Sequence, residues 1–232
     1  MRMPGLHHER DLPIVFGGPS LSLASTAQLE RFDVRPPVKR GDLAALRGER
    51  PRVALLVDGL FGASMAVTPL ECQQLLTAGW TLLGSSSIGA LRAAELWSAG
   101  MIGVGHIYQL LRLGCIGADA DLAVAYEPAT WKEVSVSVVQ VRALVGRLLA
   151  EPDGADLDGG SLVAAARESY WMERTWETVL RRWRANGVPQ GVLDRARALL
   201  PDDHLHPKKI DALEALGLLR ADVWISSYNR SL

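Results

Sequence analysis

Three consecutive serines, Ser85, Ser86 and Ser87, stand between a short apolar run, Trp80 to Leu83, broken by Gly84, and an Ala- and Leu-rich stretch with helical spacing. That order predicts a strand, a tight turn and a helix. A hydroxyl at such a turn faces backbone N–H groups that have no intrahelical partner and a macrodipole that favours negative charge, so an anion or a developing oxyanion fits there. The simpler alternative is that one serine is only the N-cap, where replacement by Ala costs about 1 kcal/mol. Gly89, two residues after Ser87, matches the second half of a G-x-S-x-G nucleophile elbow. Ser85 occupies the place of that motif's first glycine.

A serine near its free pKa is a weak nucleophile and needs a neighbouring group to take its proton. The chain has four lysines against 21 arginines. Lys39 lies in the stiff, charged segment Arg35-Pro36-Pro37-Val38-Lys39-Arg40-Gly41-Asp42. A lysine readily loses its proton when desolvated and an arginine does not. Arg40 beside it would depress the amine's pKa. Asp58-Gly59 closes the apolar run Val53 to Val57 and puts a carboxylate at the end of a parallel strand, where α/β ligand sites collect; a structural Asp in the turn fits equally well. Arg92, one turn into the helix after the serines, either steers an anion or pairs with Glu95 at i,i+3. Gly17-Gly18-Pro19-Ser20 follows the apolar run Pro13 to Phe16 but lacks a full G-x-G-x-x-G or Walker A pattern.

Other polar residues read as structural. Asp119 and Asp121 are too few for a metal site and suit ion pairs with arginines. Cys72 reads as a buried thiol, His106 as a helix start, and His7 and His8 as part of a frayed end. Thr68-Pro69-Leu70-Glu71 spells a capping box with Pro at the first helical position, opening a helix to about Ala78.

To position these groups the chain must be α/β, a mostly parallel sheet core with flanking helices and a helical C-terminal third. Helices are expected over 106–113, 134–150, 189–199 and 207–216, and Met172, Trp176, Val179, Leu180 and Trp183 form an aromatic and aliphatic stripe that reads as core. The acidic, Gly-rich run Glu151 to Gly160 predicts a boundary between a core over 1–150 and a helical region over 151–232 packed on it.

A net charge of −1 gives no general attraction to nucleic acid or to an anionic membrane. No uncharged apolar run approaches the ~18 residues of a membrane span. Two cysteines, Cys72 and Cys115, and an opening MRMPGLHHERDLP without an apolar core predict a cytoplasmic, disulfide-free protein.

The chain resembles the TfuA family, accessory partners of YcaO enzymes in peptide-backbone thioamidation. The matching residues are Gly18-Pro19-Ser20, Pro36 to Asp42, Asp58-Gly59-Leu60-Phe61, Ser85 through Leu96, Gly100 through Gly105, and Asp119-Ala120-Asp121. The resemblance covers about 15–145 and implies an α/β fold with a hydrolase-like Ser and Lys pair. It also implies hydrolysis of the C-terminal thiocarboxylate of a ubiquitin-like sulfur carrier protein, in support of a YcaO partner that itself uses ATP. No cofactor and no metal are then needed in this chain. The family's Ser falls on Ser87 and its Lys on Lys39, with Arg92, Arg40, Ser85, Ser86 and Asp58 as substrate-binding residues. Related sequences tend to read Pro-Lys-Glu or His-Lys-Glu where this chain has Pro69-Leu70-Glu71. Two other readings fit the residues: a non-catalytic adaptor that docks on YcaO and recruits the precursor peptide, and a small-molecule or phosphate-binding α/β domain using Gly17 to Ser20 and the serine turn.

Overall fold

The computed structural model describes residues 12–151, 154 and 156–220. His7 and His8 lie outside the described residues. Five strands, β1 (Ile14–Phe16), β2 (Asp33–Arg35), β3 (Val53–Leu56), β4 (Thr81–Ser85) and β5 (Ile102–Val104), form one sheet in the order β2-β1-β3-β4-β5. Every pairing is parallel. The order reverses between β1 and β3, and in doubly wound sheets the crevice beyond the carboxyl ends of the strands at such a reversal is where ligands collect.

Alternation along the strands splits the sheet into two faces. Ile14, Phe16, Ala54, Leu56 and Leu82 point to one of them. That face is covered by α2 (Asp42–Leu46), α3 (Pro69–Thr77), α4 (Ile88–Leu96) and α5 (His106–Arg112). Val15, Leu55, Val57, Leu83 and Val104 point to the other, where the short α1 (Thr26–Leu29) brings Leu29. Most of that second face is covered by α10 (Pro207–Arg220), which buries Ala212, Ala215 and Leu216 against it. The chain is therefore a three-layer α/β/α structure whose second outer layer comes from the far end of the described sequence.

A separate helical cluster joins α6 (Val138–Leu149), α7 (Gly159–Arg167), α8 (Trp176–Ala185) and α9 (Gln190–Leu199) around Val141, Leu144, Leu148, Leu162, Val179 and Trp183. Trp183 is fully buried and its indole N–H donates to the Leu162 carbonyl at 2.9 Å, so the aromatic stripe is core. The predicted helix from 134 begins four residues later, because Ser137 caps α6 by accepting from the Gln140 N–H. The helix predicted over 207–216 runs one further turn, to Arg220. In the acidic run, Asp158 caps α7 and Glu151 pairs with Arg147 and Arg195. Among the described residues no helix is long and apolar enough to cross a membrane.

Candidate functional site

The serine turn sits at the carboxyl end of β4, beside the point where the strand order reverses, and its three hydroxyls have three different fates. Ser85 Oγ donates to the Asp211 carbonyl of α10 at 2.9 Å. Ser86 has φ of +66°, a left-handed conformation that a residue with a Cβ seldom adopts, and its fully buried Oγ has no partner among the described residues. Ser87 occupies the N-cap position of α4 without capping: its ψ of −119° takes it out of the extended geometry that capping serines use, and its hydroxyl bonds to none of the described residues. The simple N-cap reading of this turn is thereby corrected. Ser87 is 2% exposed.

Close packing explains the local sequence. A Cβ on Gly89 would stand 1.8 Å from the Leu56 carbonyl oxygen, and one on Gly84 would stand 2.1 Å from the Gly89 carbonyl oxygen. Glycine at both places lets the start of α4 lie directly on β3 and β4. The Ser87 and Gly89 N–H groups then reach the Val57 carbonyl at 3.2 and 3.4 Å, and the Leu91 N–H reaches the Ser87 carbonyl. The N–H groups of Ile88 and Ala90 have no partner among the described residues. Two donors are thus available at the helix start.

The turn after β1 is built the opposite way. Asp58 Oδ2 accepts from the Gly18 and Ser20 N–H groups at 2.9 Å each, and its Oδ1 accepts from Ser20 Oγ at 2.7 Å. The Gly17 to Ser20 loop is an anion cradle already filled by the chain's own buried carboxylate. Asp58 therefore holds this loop, and its oxygens are engaged rather than offered to a ligand.

A cleft of about 480 Å³ opens beside the serine turn. Ile88, the first residue of α4, lines it together with Arg40, Arg92, Phe61, Asp119 and Trp171. The segment carrying Lys39 and Arg40 is stitched to the cleft edge through its backbone. Val38 bridges Gly59, the Arg40 N–H donates to the Met65 carbonyl at 2.8 Å, and the Gly41 N–H donates to Glu71. Glu71 also closes the capping box with Thr68, as the sequence predicts. The Arg40 guanidinium donates to the Ala63 carbonyl at 2.6 Å. Lys39 is exposed, with its N–H on Asp42. Arg92 is 8% exposed and forms the i,i+3 pair with Glu95 at 2.6 Å; its Nε donates to the Val67 carbonyl. Its remaining N–H groups are not used by either contact.

Several residues outside the sequence-predicted set frame this edge of the sheet. Lys208, at the start of α10, is fully buried, with Nζ 3.3 Å from the Leu122 carbonyl and 3.7 Å from Glu133. Burial pushes the Glu133 carboxyl up, but the hydrogen bond with His206 and the charge of Lys208 outweigh it and leave it below its ordinary value. Asp211 accepts from the His106 and Ile107 N–H groups at 3.0 and 2.8 Å, capping α5. Burial nevertheless pushes its carboxyl up to about 6. Asp121 takes a bidentate contact from Arg167, the ion-pair role expected of it. Burial pushes the Cys72 thiol up to about 12, which makes it an inert core thiol. Among the described residues no group of three or more potential metal ligands occurs.

A doubly wound sheet with a strand-to-helix serine turn and an arginine-lined cleft defines an α/β protein with a site at the carboxyl ends of its strands. The family model described as TfuA-like protein matches residues 58–175, just over half of the chain and including the serine turn, and the chain belongs to that family. Membership points to an accessory role in thioamidation-type pathways, which are associated with YcaO. Among curated proteins none matches the chain.

Proposed function

We propose that this chain releases sulfide from the C-terminal thiocarboxylate of a ubiquitin-like sulfur carrier protein, supplying a YcaO enzyme that thioamidates a precursor peptide. Ser87 Oγ attacks the thiocarboxylate carbon while the Lys39 amine takes its proton. The oxyanion is met by the Ile88 and Ala90 N–H groups, the carbon–sulfur bond breaks, and the sulfur takes back the proton held by Lys39 and leaves as hydrosulfide. Water then attacks the acyl-enzyme, which returns Ser87 and a carrier carboxylate. Arg40 and Arg92 would draw the anionic terminus in. Ser85 and Ser86 shape the turn.

The observation that carries this reading is the unspent Ser87 hydroxyl next to two unpaired helix N–H groups. A serine kept only for stability at an N-cap would be hydrogen-bonded. The test is sulfide release from thiocarboxylated carrier by the wild type, Ser87→Ala and Lys39→Ala. Loss in both variants is expected; full release by both rejects the assignment.

A second reading, a non-catalytic adaptor that docks on YcaO and recruits the peptide, is favoured by one observation. Lys39 is exposed, and Leu70, at the place where related sequences tend to carry a lysine, is 60% exposed beside Thr68 and Pro69 of the cleft. YcaO binding and stimulation that survive Ser87→Ala would select it. The phosphate-cradle reading loses its first element, because Asp58 fills the Gly18 loop.

A further inference from the structure

The cleft beside the serine turn has a charge and shape that narrow what can enter it. About 480 Å³ holds a few residues of extended chain and excludes a folded domain. Two guanidiniums line it, Arg40 with no carboxylate partner among the described residues and Arg92 shared with Glu95 at 2.6 Å, and Asp119 is the carboxylate among the lining residues. Both are pre-oriented by backbone carbonyls, Arg40 by Ala63 and Arg92 by Val67. No carboxylate pairs with Arg40 among the described residues, so its fork is free for a planar anion.

A further part of the lining, Trp171, comes from a distant part of the chain. Trp171 lies between α7 and α8, in a loop held by the buried Arg174. That guanidinium donates to the carbonyls of Ala120, Val136, Ala166 and Ser169. One of these bonds, to the Ala120 carbonyl, joins the loop to the strap that contributes Asp119 and Ala120. Outside the cleft, Met65, Leu70, Tyr170 and Met172 adjoin or closely follow its lining residues in sequence, and all are exposed. Exposed apolar side chains next in sequence to the lining of a charged cleft suit contact with a polypeptide.

We propose that this cleft is a terminal-anion site: it takes the last residues of an extended polypeptide, with the C-terminal anion on Arg40 and Arg92 and the preceding backbone against Trp171. The occupant is the tail of the carrier, so the inference rests on the function proposed above and adds how the tail is recognised. Because the fork reads the anion and not its sulfur, the carboxylate product binds as well and competes with the thiocarboxylate.

The test is fluorescence anisotropy of full-length protein with a labelled Gly/Ala decapeptide as the free acid and as the C-terminal amide. The acid is expected to bind at least about tenfold more tightly, as a charge-assisted bidentate contact implies. Arg40→Gln should abolish the preference, Arg40→Lys should keep part of it, and Trp171→Ala should weaken both peptides alike. Equal affinities in the wild type, absence of binding by the acid, or a preference that survives Arg40→Gln would overturn the proposal. Arg40 is exposed, and circular dichroism of the variants confirms the fold. Sulfide release measured in parallel on the wild type separates the two ideas. Discrimination without release leaves the terminal-anion site and removes the hydrolase; release without discrimination does the reverse.

Discussion

The turns after β1 and β4 sit near each other at the same edge of the sheet and treat their polar groups in opposite ways. After β1, every oxygen of Asp58 is engaged, by two backbone N–H groups and a serine hydroxyl. After β4, two of three hydroxyls and two helix N–H groups remain without partners among the described residues. Buried polar groups are normally satisfied, and each exception is a reservoir of strain or a place kept for something else. The first turn therefore spends its polar groups on holding the chain together, and the second leaves several of its own unspent.

That contrast can be broken by four measurements. The largest effect expected is on Ser87→Ala: sulfide release should fall by about 10³-fold or more, the loss typical of removing a nucleophile's function. Its urea midpoint should barely move, because Ser87 makes no capping bond to lose. Asp58→Ala should do the converse and cost about 3 kcal/mol in urea unfolding, since it strands two buried N–H groups and a hydroxyl. A mild effect there would show that the first turn is also loosely held.

Asp211 anchors the second of these turns from outside, as its backbone carbonyl holds Ser85 and its carboxylate caps α5. Its folded pKa, near 6, lies above the ordinary value of 3.8. Its favourable contribution is therefore present below about pH 3.8 and lost as pH rises through about 6. Relative to Asp211→Asn, the wild type should lose about 2–3 kcal/mol of unfolding free energy across that window. Parallel curves for the two proteins would contradict the assignment. The smallest effect is on Ser86→Gly, which removes both a strained φ and an orphaned hydroxyl and should stabilise by about 1 kcal/mol. A destabilised variant would mean that Ser86 Oγ has a partner in solution.

Much of this was written locally in the chain. The apolar runs that became β1 and β3 and the capping box at Thr68 are short-range patterns that lie where the sequence puts them, whereas β4 runs on through Gly84, the expected break, to Ser85 because both residues pair with β5. β5 was hidden because Ile102-Gly103-Val104 is three residues with a central glycine, and it is a strand only by pairing with β4. β2 was hidden as Asp33-Val34-Arg35, a charged edge strand. An elbow centred on Ser87 has Ser85 where the motif has its first glycine. Centring it on Ser86 places Gly84 two residues before the strained position, and that spacing was the available signal. Lys208 had no such signal: Pro207-Lys208-Lys209 looks like a solvated helix start, and only tertiary packing buries its first lysine.

The bond between Ser85 and Asp211 spans 126 residues. A nascent chain emerging from a ribosome can assemble all five strands and still lack the layer that seats the serine turn. Until the final helix clears the exit tunnel, Val15, Leu55, Val57, Leu83 and Val104 face the cellular milieu as a bare greasy sheet. Translation products cut short before α10 would carry that face uncovered and be prone to aggregate.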